Sequence, residues 1–143
     1  MPQNMFGRVA LVVSLFAAGV GVGQRTALRA EAPHHIFEIR TYTAAEGKLP
    51  ALLKRFKDYE LPLFEKHGMH AVLYSVAAEA PRSENTFVYI LQHESRESAR
   101  QGWAGFVVEP AFKTAQQESD AGGKAVVHVD SIFVDPTDFS PLK

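Results

Sequence analysis

Hydrophobic and polar positions alternate in four separate segments of this chain, with the period of two that is typical of a half-buried β-strand. In the first segment, Phe37 and Ile39 alternate with Glu38 and Arg40. All four segments are rich in β-branched and aromatic residues, which favour strands. The predicted strands span residues 36–43, 69–76, 86–93 and 125–134.

Apolar residues recur at helical spacing between the first two predicted strands and again between the third and fourth. Pro62 interrupts the first predicted helix, and Gly68 favours its end in a left-handed turn. Ser95 can cap the second helix, and Pro110 starts a further helical segment. The apolar positions are Leu49, Leu52, Leu53, Phe56, Leu63 and Phe64, then Ala99, Trp103 and Phe106. The charged residues opposite the first stripe are interpreted as a solvated face; they include Lys54, Arg55, Lys57 and Asp58.

The resulting order, β-α-β-β-α-β, predicts an α+β fold of ferredoxin-like type, with an antiparallel sheet and both helices on one face. The third and fourth strands, however, carry apolar residues on both faces, as Val88 and Ile90 alternate with Phe87 and Tyr89. A sheet with one solvated face would alternate with polar residues instead. We therefore expect a second copy of the chain to cover the open face, giving a homodimer with the architecture of a dimeric α/β-barrel.

Residues 1–32 differ from the rest and read as a signal peptide. Arg8 precedes an apolar run, and Ala30, Glu31 and Ala32 form an Ala-x-Ala cleavage pattern. The run is short for crossing about 30 Å of hydrocarbon. The predicted location is therefore secreted or periplasmic, with an uncleaved membrane anchor and an organelle transit peptide as the alternatives. Residues 33–35 would form a short tether, followed by one domain at 36–143.

Charge and cysteine content narrow the classes of function. The formal charge is −1, and it becomes −3 without the leader, which holds three arginines and one glutamate. A mildly acidic domain without a basic stripe is unsuited to nucleic-acid binding. The chain has no cysteine, which excludes disulfides, thiolate metal sites and cysteine nucleophiles.

Several segments resemble the NIPSNAP family. The first is Phe37 to Tyr42, which resembles the first strand of that domain, and the second is Leu61 to Met69, which resembles the exit of its first helix. Trp103, Ala104 and Phe106 resemble its second-helix motif, and Pro136 to Pro141 is similar to its C-terminal ending. The resemblance covers essentially the whole domain. It implies a dimeric α/β-barrel and no settled catalytic role.

The candidate ligand pocket begins on the first strand, where Glu38, Arg40 and Tyr42 share one face. If Phe37 and Ile39 face the helices, these three residues point into the barrel. Arg40 would then hold an anionic ligand, with Tyr42 donating a hydrogen bond and Glu38 orienting the guanidinium. The alternative is a buried ion pair without a ligand.

His128 and Asp130 share a face of the last strand and could form a general base oriented by a carboxylate, or an ordinary surface pair. Trp103 is interpreted as core or interface packing, or as an aromatic platform for a ligand. His67 and His70 lack the regular spacing of a metal motif, so no metal is predicted. Related barrels bind haem, but the sequence has no ligand signature for it, and no cofactor is predicted.

These observations lead to three hypotheses. The first is an exported homodimer that binds a small molecule in the barrel. The second is a cofactor-independent oxygenase or isomerase that uses Arg40, Tyr42, His128 and Asp130, a hypothesis that rests on analogy of fold. The third is an interaction module whose barrel is filled with side chains.

Overall fold

The computed structural model describes residues 34–143, and these form a four-stranded antiparallel sheet with helices on one face. The order across the sheet is β2-β3-β1-β4, so the first and third strands are central. This arrangement confirms the predicted ferredoxin-like fold. The predicted signal peptide, residues 1–32, lies outside the described residues. The strands are β1 (Ile36–Ala44), β2 (His70–Val76), β3 (Thr86–His93) and β4 (Val126–Val134).

The α-helices are α1 (Leu49–Arg55), α2 (Leu61–Lys66), α3 (Arg96–Phe106) and α4 (Pro110–Ser119). A π-helical turn, Phe56–Glu60, joins α1 to α2, so the predicted interruption lies just before Pro62. Gly68 follows α2 with a φ of 69°, a left-handed conformation that glycine adopts without strain. Ser95 caps α3 as predicted, because its hydroxyl accepts the Ser98 backbone N–H at 3.0 Å.

An aromatic core lies between the sheet and the helices, and Phe56 occupies its centre. Edge-to-face contacts join Phe56 to Tyr42, Phe87 and Tyr89, with ring centroids 5.7, 4.7 and 5.1 Å apart. Such pairs favour this geometry because the edge of one ring is attracted to the face of another. These contacts determine which residues of β1 and β3 face the helices.

The orientation considered for β1, with Phe37 and Ile39 toward the helices, is wrong. Tyr42 packs against Phe56, so Glu38, Arg40 and Tyr42 face the helices, because alternate residues of a strand share a face. The physical reason is that the helix side supplies polar partners for the charged pair, as described below. The three residues therefore line the space between sheet and helices and not a barrel interior.

The opposite face of the sheet carries a row of apolar side chains that crosses all four strands. Ile39 pairs with Ile90 on one side and with Ile132 on the other, and Ile90 pairs with Leu73. We call these four residues the open apolar row. Both ends are exposed, with Ile132 at 57% and Leu73 at 45% of full accessibility.

Two glycines of α3 allow the helix to pack closely on the end of α2. A Cβ at Gly102 would lie 2.8 Å from the His67 carbonyl oxygen, and one at Gly105 would lie 2.5 Å from the His67 ring. The two glycines therefore allow α3 to approach the C-terminal end of α2 closely. Within residues 34–143, no helix has the length and apolar character needed to cross a membrane.

Candidate functional site

The Glu38 carboxylate is the centre of a buried hydrogen-bond network on β1. Arg40 Nη1 and Ser131 Oγ donate to its Oε1 at 2.6 and 2.7 Å. Trp103 Nε1 donates to Oε2 at 2.7 Å, and His93 Nε2 lies 3.0 Å from the same oxygen. Glu38 itself is only 1% exposed. Four side chains from β1, β3, β4 and α3 therefore meet at one carboxylate.

Burial alone would raise the pKa of the Glu38 carboxyl, because an apolar environment disfavours the charged form. Hydrogen bonds from His93, Trp103, Ser131 and Arg40 outweigh this effect and lower the pKa to about 2. Glu38 is consequently a permanent anion near neutral pH. Because an ionised carboxylate only accepts hydrogen bonds, His93 must present its Nε2 proton to it.

Arg40 is held in place by this anion and by an aromatic ring. Its guanidinium carbon lies 4.2 Å from the centroid of the Trp103 ring, a stacked cation–π contact. Its Nε is buried and has no hydrogen-bond partner among the described residues. Tyr42 is next on the same face, and its hydroxyl accepts a hydrogen bond from Tyr89 at 3.0 Å. The predicted orienting role of Glu38 thus has a geometric basis.

A cavity of about 340 Å³ opens beside Arg40, between the sheet and helices α3 and α4. Ligand sites commonly have about 300–1,000 Å³, so this space suits a small molecule. Its walls are largely aromatic and aliphatic, and its charged groups come from several elements. The charged lining residues are Arg40, Arg55, Glu60, Asp120 and Lys124, and the apolar ones include Trp103, Phe106, Phe112, Val126 and Val129.

A second buried ion pair lies at the same cavity. Arg55 Nε donates to Glu60 Oε1 at 2.5 Å, and Arg55 Nη1 donates to Ser119 Oγ at 3.0 Å. Burial raises the pKa of the Glu60 carboxyl to about 7, although the Arg55 and Arg40 charges oppose this increase. Glu60 can therefore change its protonation state near neutral pH, which Glu38 cannot.

The predicted pocket residues are only partly brought together. Trp103, Arg40 and Tyr42 line the cavity, and Glu38 lies directly behind Arg40. His128 and Asp130 do not join them. They contact each other at 3.0 Å and are largely exposed. His128 pairs with Thr43 and Asp130 with Thr41, so both lie on the opposite face of the sheet from Arg40.

His67 and His70, considered as metal ligands, contact different carboxylates. His67 Nε2 lies 2.7 Å from Glu109, and His70 Nδ1 lies 2.7 Å from Glu65. Within residues 34–143, no group of three or more potential ligand side chains is arranged to hold a metal ion.

Sequence reasoning missed four residues of the site: Arg55, Glu60, His93 and Ser131. Arg55 was assigned to a solvated face, and this was wrong, since α4 places Ser119 against it and leaves it 6% exposed. Glu60 could have been found, because it lies four residues after Phe56 and four before Phe64, in the apolar stripe. A charged residue at such a position is costly unless it is paired or functional. His93 and Ser131 carry no comparable signal.

The architecture and the cavity define an α+β protein of ferredoxin-like type, with charged and aromatic residues between its sheet and its helices. A family model described as NIPSNAP matches residues 37–141, and the chain belongs to the NIPSNAP family. The resemblance noted in the sequence is thereby confirmed. The search of curated proteins returned no match to this chain.

Solved structures show the same fold. A NIPSNAP family protein with unknown function from Agrobacterium tumefaciens is 24% identical, with a TM-score of 0.67 over 79% of this chain and 97% of that one. A NIPSNAP-like domain protein from Burkholderia xenovorans is 17% identical, with a TM-score of 0.65 over 76% and 90%. A putative antibiotic biosynthesis monooxygenase from Caulobacter crescentus is 13% identical, with a TM-score of 0.50 over 74% and 92%. At these identities the likeness concerns the fold.

Replacing Glu38 with glutamine should destabilise the domain by about 3–5 kcal/mol, the usual cost of removing one partner from a buried charge pair. The amide would direct its NH₂ group at donors that now point to a carboxylate. Urea unfolding followed by circular dichroism measures this loss. The control is Glu97→Gln, which removes an exposed carboxylate paired with Arg100 and should change little. Equal stability of Glu38→Gln and wild type would contradict the network.

Glu60 should make the domain less stable as the pH rises from about 4.5 to about 7. Its pKa is higher in the folded state, so across this window the native state holds a proton that the unfolded chain has released. The loss should be on the order of 3 kcal/mol. Comparing urea unfolding of wild type and Glu60→Gln at several pH values isolates this contribution. The free energy of unfolding of the control Glu118→Gln should depend on pH as that of wild type does. If Glu60→Gln showed the same pH dependence as wild type, Glu60 would not be the group that titrates in this range.

Proposed function

We propose that this NIPSNAP protein binds a small organic anion with an aromatic or apolar body in the cavity beside Arg40. The observation that carries the proposal is the fixed guanidinium, held by Glu38 and stacked on Trp103, whose buried Nε has no partner among residues 34–143. A positioned guanidinium is well suited to a carboxylate, because its donors match the two oxygens. The aromatic walls would enclose the apolar part of the ligand.

The charges around the cavity favour an anion over a cation. The cations that line it are Arg40, Arg55 and Lys124. Its lining carboxylates are Asp120 and Glu60, and Glu60 is readily protonated. Glu38 offsets the charge of Arg40, but Arg55 and Lys124 together still exceed Asp120 by one charge when Glu60 is protonated. An incoming carboxylate would therefore meet a net positive lining whenever Glu60 carries a proton.

We expect benzoate to bind to this cavity and the neutral isostere benzamide to bind about 10- to 100-fold more weakly, since a charged hydrogen bond contributes about 1.5–3 kcal/mol. Trp103 is the only tryptophan of the chain, so its fluorescence reports directly on the cavity. Arg40→Gln should abolish the preference, and Arg100→Gln, at an exposed arginine, should retain it. Equal affinity of the wild type for benzoate and benzamide, or binding of neither, would refute the proposal without any variant.

The second part of the proposal is a homodimer formed through the open apolar row. A second copy is the occupant that matches this surface best, because a twofold axis places identical apolar rows against each other. The same symmetry would let His128 of each copy approach Asp130 of the other, since both residues lie on that face. The cavity lies on the helix side and would stay accessible in such a dimer.

Ile132→Asp should convert the dimer to a monomer, because each copy would then bury a charge in the interface, where Ile132 forms one end of the open apolar row. Val108→Asp is the matched control, since Val108 is 61% exposed in the turn after α3 and does not lie on the sheet. Native mass spectrometry of protein purified from its own host measures the assembly. It also reports the mass of any bound ligand and of the predicted leader. A monomeric wild type at micromolar concentration would disprove the dimer.

Export through a leader at residues 1–32 is the third part of the proposal, and it rests on the sequence pattern alone. The ligand would then come from the periplasm or the surroundings of the cell, and the absence of cysteine is compatible with either compartment.

An enzyme is the second candidate function, and one specific observation favours it. Glu60 is buried in the cavity with a pKa of about 7, which suits a general acid or base at neutral pH. The fold neighbour from Caulobacter crescentus carries a monooxygenase description, but at 13% identity it shares the fold alone. A cofactor-independent oxygenase or isomerase would use Arg40, Tyr42 and Glu60, since His128 and Asp130 lie on the other face.

A further inference from the structure

Two arginines of the cavity act on one buried carboxylate, that of Glu60. Arg55 supplies the side-chain hydrogen bond of Glu60, at 2.5 Å, and Arg40 acts on the same carboxyl through its charge. All three residues line the cavity. Glu60 is 1% exposed, so it cannot gain the hydration that would stabilise an isolated anion. Its negative charge therefore depends on these two cations.

We propose that Glu60 takes up a proton from solvent when an organic anion binds, so that the cavity binds a carboxylate together with a proton. The ligand carboxylate then replaces Glu60 as the counter-charge of Arg55 and lies beside Arg40, and neutral Glu60 can donate a hydrogen bond to it. The net charge of the buried site stays the same, because one anion enters and one carboxylate is neutralised. This inference rests on the proposed binding function and adds its coupling to pH.

Glu60, and not Glu38, is the group that can exchange a proton. Glu38 has four side-chain partners, and those hydrogen bonds hold its pKa near 2. Glu60 has Arg55 as its side-chain partner within the described domain. An anion beside Glu60 would raise its pKa further, because like charges at short distance disfavour ionisation. The two buried carboxylates thus have different roles in the same site.

The π-helical turn Phe56–Glu60 positions this residue. Glu60 lies four residues after Phe56 and four before Phe64, so an uninterrupted α-helix would place it in the same apolar stripe as these two core residues. Segments of this type occur frequently at functional sites, where a local change in helical phase redirects a side chain. Here the turn ends at the one acidic residue that lines the cavity from this helix.

The other titratable groups around Glu60 do not account for proton uptake near neutral pH. Arg55 and Arg40 remain charged. Burial raises the pKa of Tyr74 to about 12 and that of Tyr89 well above 10, so both stay protonated. Asp120 and Lys124 line the same cavity from the loop after α4, and Asp120 Oδ1 accepts the Ala125 N–H at 2.8 Å. His93 lies behind Glu38 and is the remaining group that the experiment must separate from Glu60.

Isothermal titration calorimetry with benzoate tests the coupling. Titrations at pH 8 in buffers of different ionisation enthalpy, such as phosphate and Tris, give the number of protons taken up per bound benzoate. We expect nearly one proton for the wild type, and an affinity that falls about tenfold per pH unit above pH 7. Glu60→Gln carries a neutral donor at all pH values, so it should take up no proton and bind more tightly than wild type at pH 8. Glu118→Gln, at an exposed carboxylate of α4, should behave as wild type.

The outcomes separate the coupling from the binding function. If benzoate binds and depends on Arg40, but no proton is taken up, the coupling is wrong and the binding function stands. If proton uptake persists in Glu60→Gln, another group such as His93 carries the proton, and the role of Glu60 is refuted. If wild type binds no benzoate by calorimetry or by Trp103 fluorescence, both proposals fail together.

Discussion

The fold of this domain depends on how one carboxylate, that of Glu38, is neutralised at the centre of the sheet. A buried anion on a central strand would be prohibitively costly alone. Its partners come from β1, β3, β4 and α3, so the network closes only when three strands and one helix are in register. Four donors that converge on one carboxylate also require each strand to be in one position, and we infer that Glu38 specifies the arrangement of β1 as well as stabilising it.

Glu38 and Glu60 show how environment separates the behaviour of two identical side chains. Both are 1% exposed, and each contacts an arginine. The difference lies in the number of hydrogen-bond donors, because Glu38 has four and Glu60 has the Arg55 guanidinium. Hydrogen bonds compensate the desolvation of Glu38, which is therefore a fixed anion. They do not compensate that of Glu60, whose pKa therefore lies close to neutral pH. A rigid cation beside a proton-exchanging acid is what an anion site with pH-dependent affinity requires.

The order of elements was predictable, because alternation and helical spacing are local properties of the sequence. Pro62, Gly68 and Ser95 marked helix interruptions and ends, and the family resemblance agreed with them. The facing of β1 was not predictable in this way. Because Phe37 and Ile39 are apolar, a pattern argument turns them toward the helices and turns Glu38 and Arg40 toward the other face, which is the reverse of the structure. What decides the facing is the set of partners contributed by distant residues, Trp103 and Ser131, which no local pattern contains.

Glu60 illustrates the opposite case, a signal that was present but easily overlooked. Its position between Phe56 and Phe64 conflicts with the apolar stripe of the helix, and such conflicts between local pattern and global fold tend to mark functional or strained positions. Arg55 lacks that signal, because its burial results from α4, an element more than fifty residues further along the chain. In this domain, the buried pair of Arg55 and Glu60 is therefore easier to detect in the sequence from Glu60, which interrupts an apolar stripe, than from Arg55.

Each strand of the sheet contributes side chains to both faces in alternation, so the cavity face and the open face are built from neighbouring residues of the same strands. Arg40 lies between Ile39 and Thr41, so the strand that presents the cation to the cavity also presents apolar and small polar groups to the open face. A change at Arg40 acts on one face and a change at Ile39 acts on the other, although the two residues are adjacent. The proposed binding in the cavity and the proposed association through the open apolar row would thus be chemically independent. The two surfaces are nevertheless linked through β1, since any shift of this strand moves both.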